Sequence, residues 1–361
     1  TRVPRYLYIL MFLGLWALEA GSIRYRIHVT SMEGTHLQTL SSLVQDGDWT
    51  MDESGGEGDV SRVGAHFLPN KPPGWVLFLF PFRWALNSAG CRDPALVYQI
   101  LLLVSAACAA AAGTFGFVLL IRLGLAPLPA LFTALGLVLA TDLYVYAGLL
   151  LRHGILAAMI ALTLLTPVTR SGRTGVFPFL AGFSIGGLPL MDYATIPVAL
   201  ILGLGLLTMH ARSQGGRAVL AFLLGAAGPV LYLLSYNDSV YGSPWTTGYS
   251  PGVYQGPAEI RWESLKNVFL EAPLRGWIPS LVGLSRGWLL YCPPLALALA
   301  GALGWGGGRK TALEKWALAS AATYLVFVSS FRYWHGGNFP GHRYLVLLPV
   351  LLLPTWARVL P

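Results

Sequence analysis

"LVYQILLLVSAACAAAAGTFGFVLLI", residues 96–121, runs 26 residues without a charged side chain. About 20 such residues in an α-helix cross the hydrocarbon core of a bilayer, so the stretch predicts a transmembrane helix. The rest of the chain is of the same kind. Of 361 residues, 55% are hydrophobic and only 11% charged, which excludes a soluble globular protein of ordinary composition. Apolar runs recur at 6–22, 96–121, 128–149, 154–168, 175–190, 194–209, 218–235, 289–306, 316–331 and 344–360, predicting ten crossings in an all-α, polytopic helical bundle. No small-residue cleavage pattern follows 6–22, so that run is expected to be a retained span rather than a cleaved signal peptide.

Orientation follows from the basic residues. With both termini cytoplasmic, the inner segments hold Arg2, Arg5, Arg122, Arg170, Arg173, Arg212, Arg217, Arg309, Lys310, Lys315 and Arg358, with Glu314 their only acid. That is the positive-inside pattern, and it accounts for the net charge of +8 without a nucleic-acid partner. Residues 73–90, interrupted by Pro81 and Arg83, are too short to span and would invert every later loop, so they predict a helix lying at the interface. Chemistry is then expected on the outer face, in a first loop over 23–95 with interfacial helices and a second over 237–288, within one transmembrane domain covering 1–361.

The candidate residues sit in or beside those loops. Glu33 precedes "THLQTLSSLV", whose Leu37, Leu40 and Leu43 predict a short membrane-lying helix; a fixed carboxylate there suits a general base or a ligand to a divalent cation. Lys71, between Asn70 and two prolines, is expected to present its ammonium at head-group level, where it suits a lipid phosphate. Arg152 and His153 lie between consecutive spans, as do Asp192 and Tyr193, and ionisable groups at membrane depth mark functional sites. Arg332, His335, His342 and Arg343, among aromatics and glycines, suit phosphate and sugar recognition; Asp238 lies in an aromatic loop that could stack on a sugar. Each also has a plain reading as a solvated loop acid, an interfacial anchor or part of an aromatic belt. Cys91, Cys108 and Cys292 show no metal-like spacing and read as packing residues. No nucleotide-binding loop, dinucleotide fingerprint or zinc- or serine-hydrolase motif occurs.

"ME" at 32–33, "LVQDGDWTMDE" at 43–53 and "GAHFLPNKPPGWVLFLFPF" at 64–82 together resemble the first loop of GT-C-fold integral-membrane glycosyltransferases. The similarity is to the bacterial protein-mannosyltransferase and aminoarabinose-transferase branch, related to glycosyltransferase family 39. "TDLYVYAGLLLRHGILAA", "YGSPWTTGYS", "SRGWLLYCPP" and "YWHGGNFPGHRYLVLLPVL" continue the likeness in order along nearly the whole chain. The resemblance implies a bacterial inner-membrane enzyme that moves a sugar, with inversion, from a polyprenyl-phosphate carrier to an acceptor at the outer face. It implies that Glu33 is the catalytic acidic residue of the first loop and that Lys71 meets the carrier phosphate; Arg152 and Arg343, read from the residues themselves, are the further candidates for binding that phosphate. The chain departs from the family in following Glu33 with Gly34 rather than a second acid, and in ending at its tenth span without an appended outer domain. A second reading is a non-catalytic accessory or scaffold subunit of a larger membrane complex; a third, a lipid flippase, lacks the internal repeat and midplane acids that transport requires.

Overall fold

The computed structural model describes residues 4–23, 30–51, 59–169, 175–250, 273–283, 287–305, 307, 309–330 and 343–360. Arg2, Arg170 and Arg173 of the charge pattern, and Arg332, His335 and His342 of the candidate site, lie outside them.

The chain is mostly helical. Helix α1 (Arg5–Ser22) leads to α2 (Ser31–Gln45), a two-stranded antiparallel hairpin of β1 (Val60–Val63) and β2 (His66–Pro69), and α3 (Gly74–Ser88). Then come α4 (Pro94–Arg122), α5 (Pro127–Leu139), the short α6 (Asp142–Ala147), α7 (His153–Leu165), α8 (Val176–Met191), α9 (Ile196–Gln214) and α10 (Gly216–Tyr241). Helices α11 (Pro273–Val282), α12 (Trp288–Tyr291), α13 (Leu295–Leu303), α14 (Ala312–Ser329), α15 (Leu348–Leu351) and α16 (Leu353–Trp356) complete it. Among the described residues, Pro94–Arg122, Tyr193–Gln214 and Gly216–Tyr241 are long and apolar enough to cross a membrane; Tyr6–Ser22, Pro127–Leu139, His153–Val168 and Val176–Met191 are shorter apolar helices.

Three expected spans are not single helices. The run at 128–149 breaks after α5 because Thr141 caps a new helix, its hydroxyl accepting from the Leu143 N–H at 3.2 Å. The run at 289–306 breaks at Pro293–Pro294, and 344–360 is cut into short turns opening at Pro349 and Pro354, residues that cannot donate to a continuing helix. The second loop also begins later than 237: α10 continues to Tyr241 and ends on Gly242, whose φ of +79° favours glycine, and α11 lies within the loop.

Small residues set the bundle's spacing. On α8, Gly182 and Gly186 form a GxxxG pair against α10, where an added Cβ would lie 1.9 Å from the Phe222 carbonyl oxygen and 2.5 Å from that of Ala226. Gly225 of α10 meets Phe179 reciprocally, its Cβ position 2.2 Å from that carbonyl. Helix α1 runs along α4, with Tyr8 edge-on to Phe117 and the Trp16 indole donating to the Leu103 carbonyl at 3.0 Å. Glu314 and Arg358, which the charge pattern assigns to one side, pair at 3.3 Å. Helix α3 buries Gly74, Trp75, Val76 and Leu79 but exposes Phe82 and Trp84.

Candidate active site

The ends of α7, α8 and α10 meet α2 and the hairpin at one end of the bundle. Helix α2 enters this junction with an unusual inward face. The predicted Leu37, Leu40 and Leu43 stripe is only partly its buried side; Met32, Glu33, Thr35, His36 and Thr39 are buried with Leu40. Thr30 caps the helix in a capping box, its hydroxyl facing the Glu33 N–H and its own N–H donating to Glu33 Oε2 at 2.9 Å. Glu33 Oε1 accepts from the Tyr98 hydroxyl at 2.8 Å and from the Leu150 N–H at 2.9 Å. With 0% exposure and three donors on two oxygens, Glu33 joins α2, α4 and the turn after α6. The same turn is held by the Ser105 hydroxyl on the Leu149 carbonyl and the Trp75 indole on that of Leu150.

Arg152 leaves that turn buried. Its Nε donates to Asp192 Oδ2 at 2.7 Å and its Nη1 approaches the sulfur of Met32 at 3.3 Å. Asp192 closes α8 and accepts from the Ala194 N–H at 3.0 Å. Tyr193 donates to Asn237 of α10 at 3.0 Å, and Asn237 donates to the Pro244 carbonyl. His153, also buried, packs its ring 4.6 Å from that of Tyr146.

Lys71 is not at the surface, as expected, but buried. Its ammonium bonds the Tyr249 hydroxyl, stands 4.8 Å from that ring's centre, and pairs with Asp59 at 3.6 Å. The loop that brings Tyr249 is seated by backbone contact: a Cβ on Gly248 would lie 2.5 Å from Asn70 Cα, and the Gly248 carbonyl accepts from Ser61. Tyr241 donates to the Pro69 carbonyl at 2.6 Å. Asp59 is fixed by its N–H on Thr35 Oγ1 at 3.0 Å and by its carbonyl, which accepts from the Asn70 N–H, and its side chain is 27% exposed.

Charge couples these groups. Lys71, with Arg343 and Arg152 farther off, holds the Asp59 carboxyl below the usual range against its burial. Burial lowers Lys71, assisted by Arg152 and Arg343 and opposed by Asp59. His36 is pushed down to about 3 by burial, then by Arg152 and Lys71, and neither ring nitrogen has a hydrogen-bond partner among the described residues.

Glu33, Lys71, Arg152, His153, Asp192, Tyr193 and Arg343 therefore belong to one neighbourhood. Asp238 does not; it is exposed on α10. Asp59, His36 and Tyr249 are additions. Asp59 follows a Gly-rich acidic stretch that reads as solvated loop, and His36 sits within an apparent apolar stripe; only the aromatic content of 236–252 signalled Tyr249. Among the described residues no three His, Cys, Asp or Glu side chains cluster to hold a metal.

The chain is similar in fold to ArnT. ArnT from Cupriavidus metallidurans bound to undecaprenyl phosphate superposes with a TM-score of 0.54 at 17% identity, over 97% of this chain and 59% of ArnT. The apo form of the same protein gives 0.54 at 15% identity, over 98% and 58%. This chain thus spans about three fifths of ArnT's length. No family model matches the chain, and no curated protein does. At that identity the likeness shows a shared GT-C-type helical membrane fold.

Proposed function

We propose that this chain is a membrane glycosyltransferase that takes a sugar from a polyprenyl-phosphate carrier. The observation that carries the reading is the buried Lys71 ammonium, with Arg152 and Arg343 acting on it, at the head of an apolar helix. A lipid phosphate needs a desolvated cation, and its isoprenoid tail needs an adjoining apolar surface, which α3 offers at Phe82 and Trp84. The fold shared with ArnT, one structure of which holds undecaprenyl phosphate, supports the same carrier class.

In this reading the acceptor hydroxyl attacks the anomeric carbon opposite the phosphate. The bond from that carbon to the phosphate oxygen breaks, the acceptor's hydroxyl proton passes to an oxygen of the departing phosphate, and the negative charge left on the phosphate falls to Lys71 and Arg152. Inversion follows from that geometry. Glu33, given to proton abstraction by the family resemblance, accepts two bonds on Oε1 and one on Oε2, so in the resting state it holds the turn that carries Arg152. Tyr193, His153 and Asp192 line the same neighbourhood and are the pocket side chains of this proposal; Asp238 is left out. The work is assigned to a bacterial inner membrane, with the site on its outer face.

The test is binding of undecaprenyl phosphate to the protein in lipid nanodiscs, followed by transfer from a panel of polyprenyl-phosphate sugars. Lys71→Ala is expected to lower affinity by about tenfold or more, as for loss of a charge-assisted contact. Absence of binding by the unaltered chain would overturn the reading. Stoichiometric co-purification with another membrane protein, without binding, would favour an accessory subunit.

A further inference from the structure

Lys71 already has an anion. Asp59 reaches it at 3.6 Å, a separation at which charges attract but no direct hydrogen bond forms. The carboxylate's backbone is anchored on both sides, by Thr35 and by Asn70, so it cannot retreat far from the ammonium. Its side chain is the partly open member of the pair, while Lys71 is buried. An arriving phosphate must therefore share Lys71 with a fixed negative charge.

The consequence depends on the charge of the lipid. A sugar-carrying polyprenyl phosphate is a phosphodiester with one negative charge. The spent carrier is a monoester with a charge of about −1.5 to −2 near neutral pH. Coulomb repulsion from Asp59 scales with that charge and acts in a low-dielectric setting, so it weighs about twice as heavily on the spent carrier. Without such a term, a buried cation flanked by Arg152 and Arg343 holds the dianion far more tightly than the diester, and the product stays.

Resting on the carrier-phosphate reading above, we infer that Asp59 sets the discrimination of this site between donor and product. Its fixed charge beside Lys71 levels their affinities and drives release of the spent carrier. Asp59 acts on the bound phosphate through space, by its charge, and takes no part in the bond-breaking step. Among the described residues Arg152, His36, Arg343, Tyr249 and Tyr344 are the other charged or titratable groups acting on the pair, and their identities are unchanged by substitution at 59.

The experiment compares undecaprenyl phosphate with its singly charged methyl ester, bound to the full chain in nanodiscs, for the unaltered protein, Asp59→Asn and Lys71→Ala. Asp59→Asn is expected to tighten the monoester about tenfold, mainly through slower dissociation, and the methyl ester about threefold, as a twofold charge ratio requires. Asp59→Ser, which removes the charge through a smaller side chain, repeats the measurement should the asparagine variant fold poorly, with thermal melting reporting on both. Weaker, unchanged or equally tightened binding of the two lipids would overturn the inference. If the unaltered chain binds neither lipid, the carrier-phosphate reading itself fails; if it binds and Lys71→Ala abolishes binding while Asp59→Asn leaves the ratio intact, only this inference fails.

Discussion

Glu33 and Lys71 are both buried charges at the same end of the bundle, and they are housed in opposite ways. Glu33 is well served: three donors from three parts of the chain bond its two oxygens. Among the described residues Lys71 is under-served, held by a phenol and by a carboxylate standing off at 3.6 Å, and its charge in turn weighs on the buried imidazole of His36. A buried polar group that is fully bonded rigidifies its surroundings, while one left partly bonded keeps capacity for something else. On the proposed function, the first cluster is architecture and the second is the place for the carrier phosphate.

Four substitutions probe that contrast. The largest effect is expected for Glu33→Ala, which takes the shared acceptor away from the Tyr98 hydroxyl and from the Leu150 and Thr30 N–H groups and costs about 3–5 kcal/mol. Thermal melting in detergent should show it as loss of a folded, monodisperse protein; a melting point within a degree or two of the unaltered chain would erase the distinction between the clusters. Gly248→Ala comes next, since the new Cβ would meet the Asn70 backbone at 2.5 Å and push the Tyr249 loop off Lys71. About 1–3 kcal/mol is expected for such overpacking, together with weaker carrier binding, read from melting and lipid titration.

Arg152→Lys keeps the charge but gives up the guanidinium fork, which meets Asp192 through Nε and Nη2 together. A loss of about 1–2 kcal/mol in stability is the expected outcome, with carrier binding reduced but not abolished. The smallest effect concerns His36. Its folded-state pKa of about 3 lies below the ordinary value of 6.5, so its stabilising effect is complete above that value. As pH falls from there toward 3, protons bind the unfolded chain preferentially and stability drains away. His36→Gln should flatten the melting-temperature profile through this window; an unaltered profile would remove His36 from the under-served cluster.

The contrast marks what was legible in the sequence. Long apolar runs and the basic loops between them declare a helical membrane protein, because helix-forming apolar length is a local property, as in 96–121. The breaks at Thr141, Pro293–Pro294, Pro349 and Pro354 were also local, carried by cap and proline chemistry set within otherwise apolar runs. Lys71 and Arg152 stood out as charges in oily surroundings. Glu33's three donors could not be read, since Tyr98 and Leu150 are brought to it by tertiary packing from 65 and 117 residues away. Asp59 was hidden in a stretch whose composition speaks only of solvent, and its importance comes from a neighbour twelve positions on.

The glycine contact between α8 and α10 has a mechanical meaning. With backbones this close, and Tyr193 bonded to Asn237 where the two helices end, α8 and α10 act as a stiff beam. Asp192 and the loop carrying Tyr249 are mounted on the end of that beam. The hairpin end and Lys71 are seated against that beam, Tyr241 on the Pro69 carbonyl and Gly248 on the Asn70 backbone, so on the proposed function the carrier phosphate meets a cation whose backing does not give.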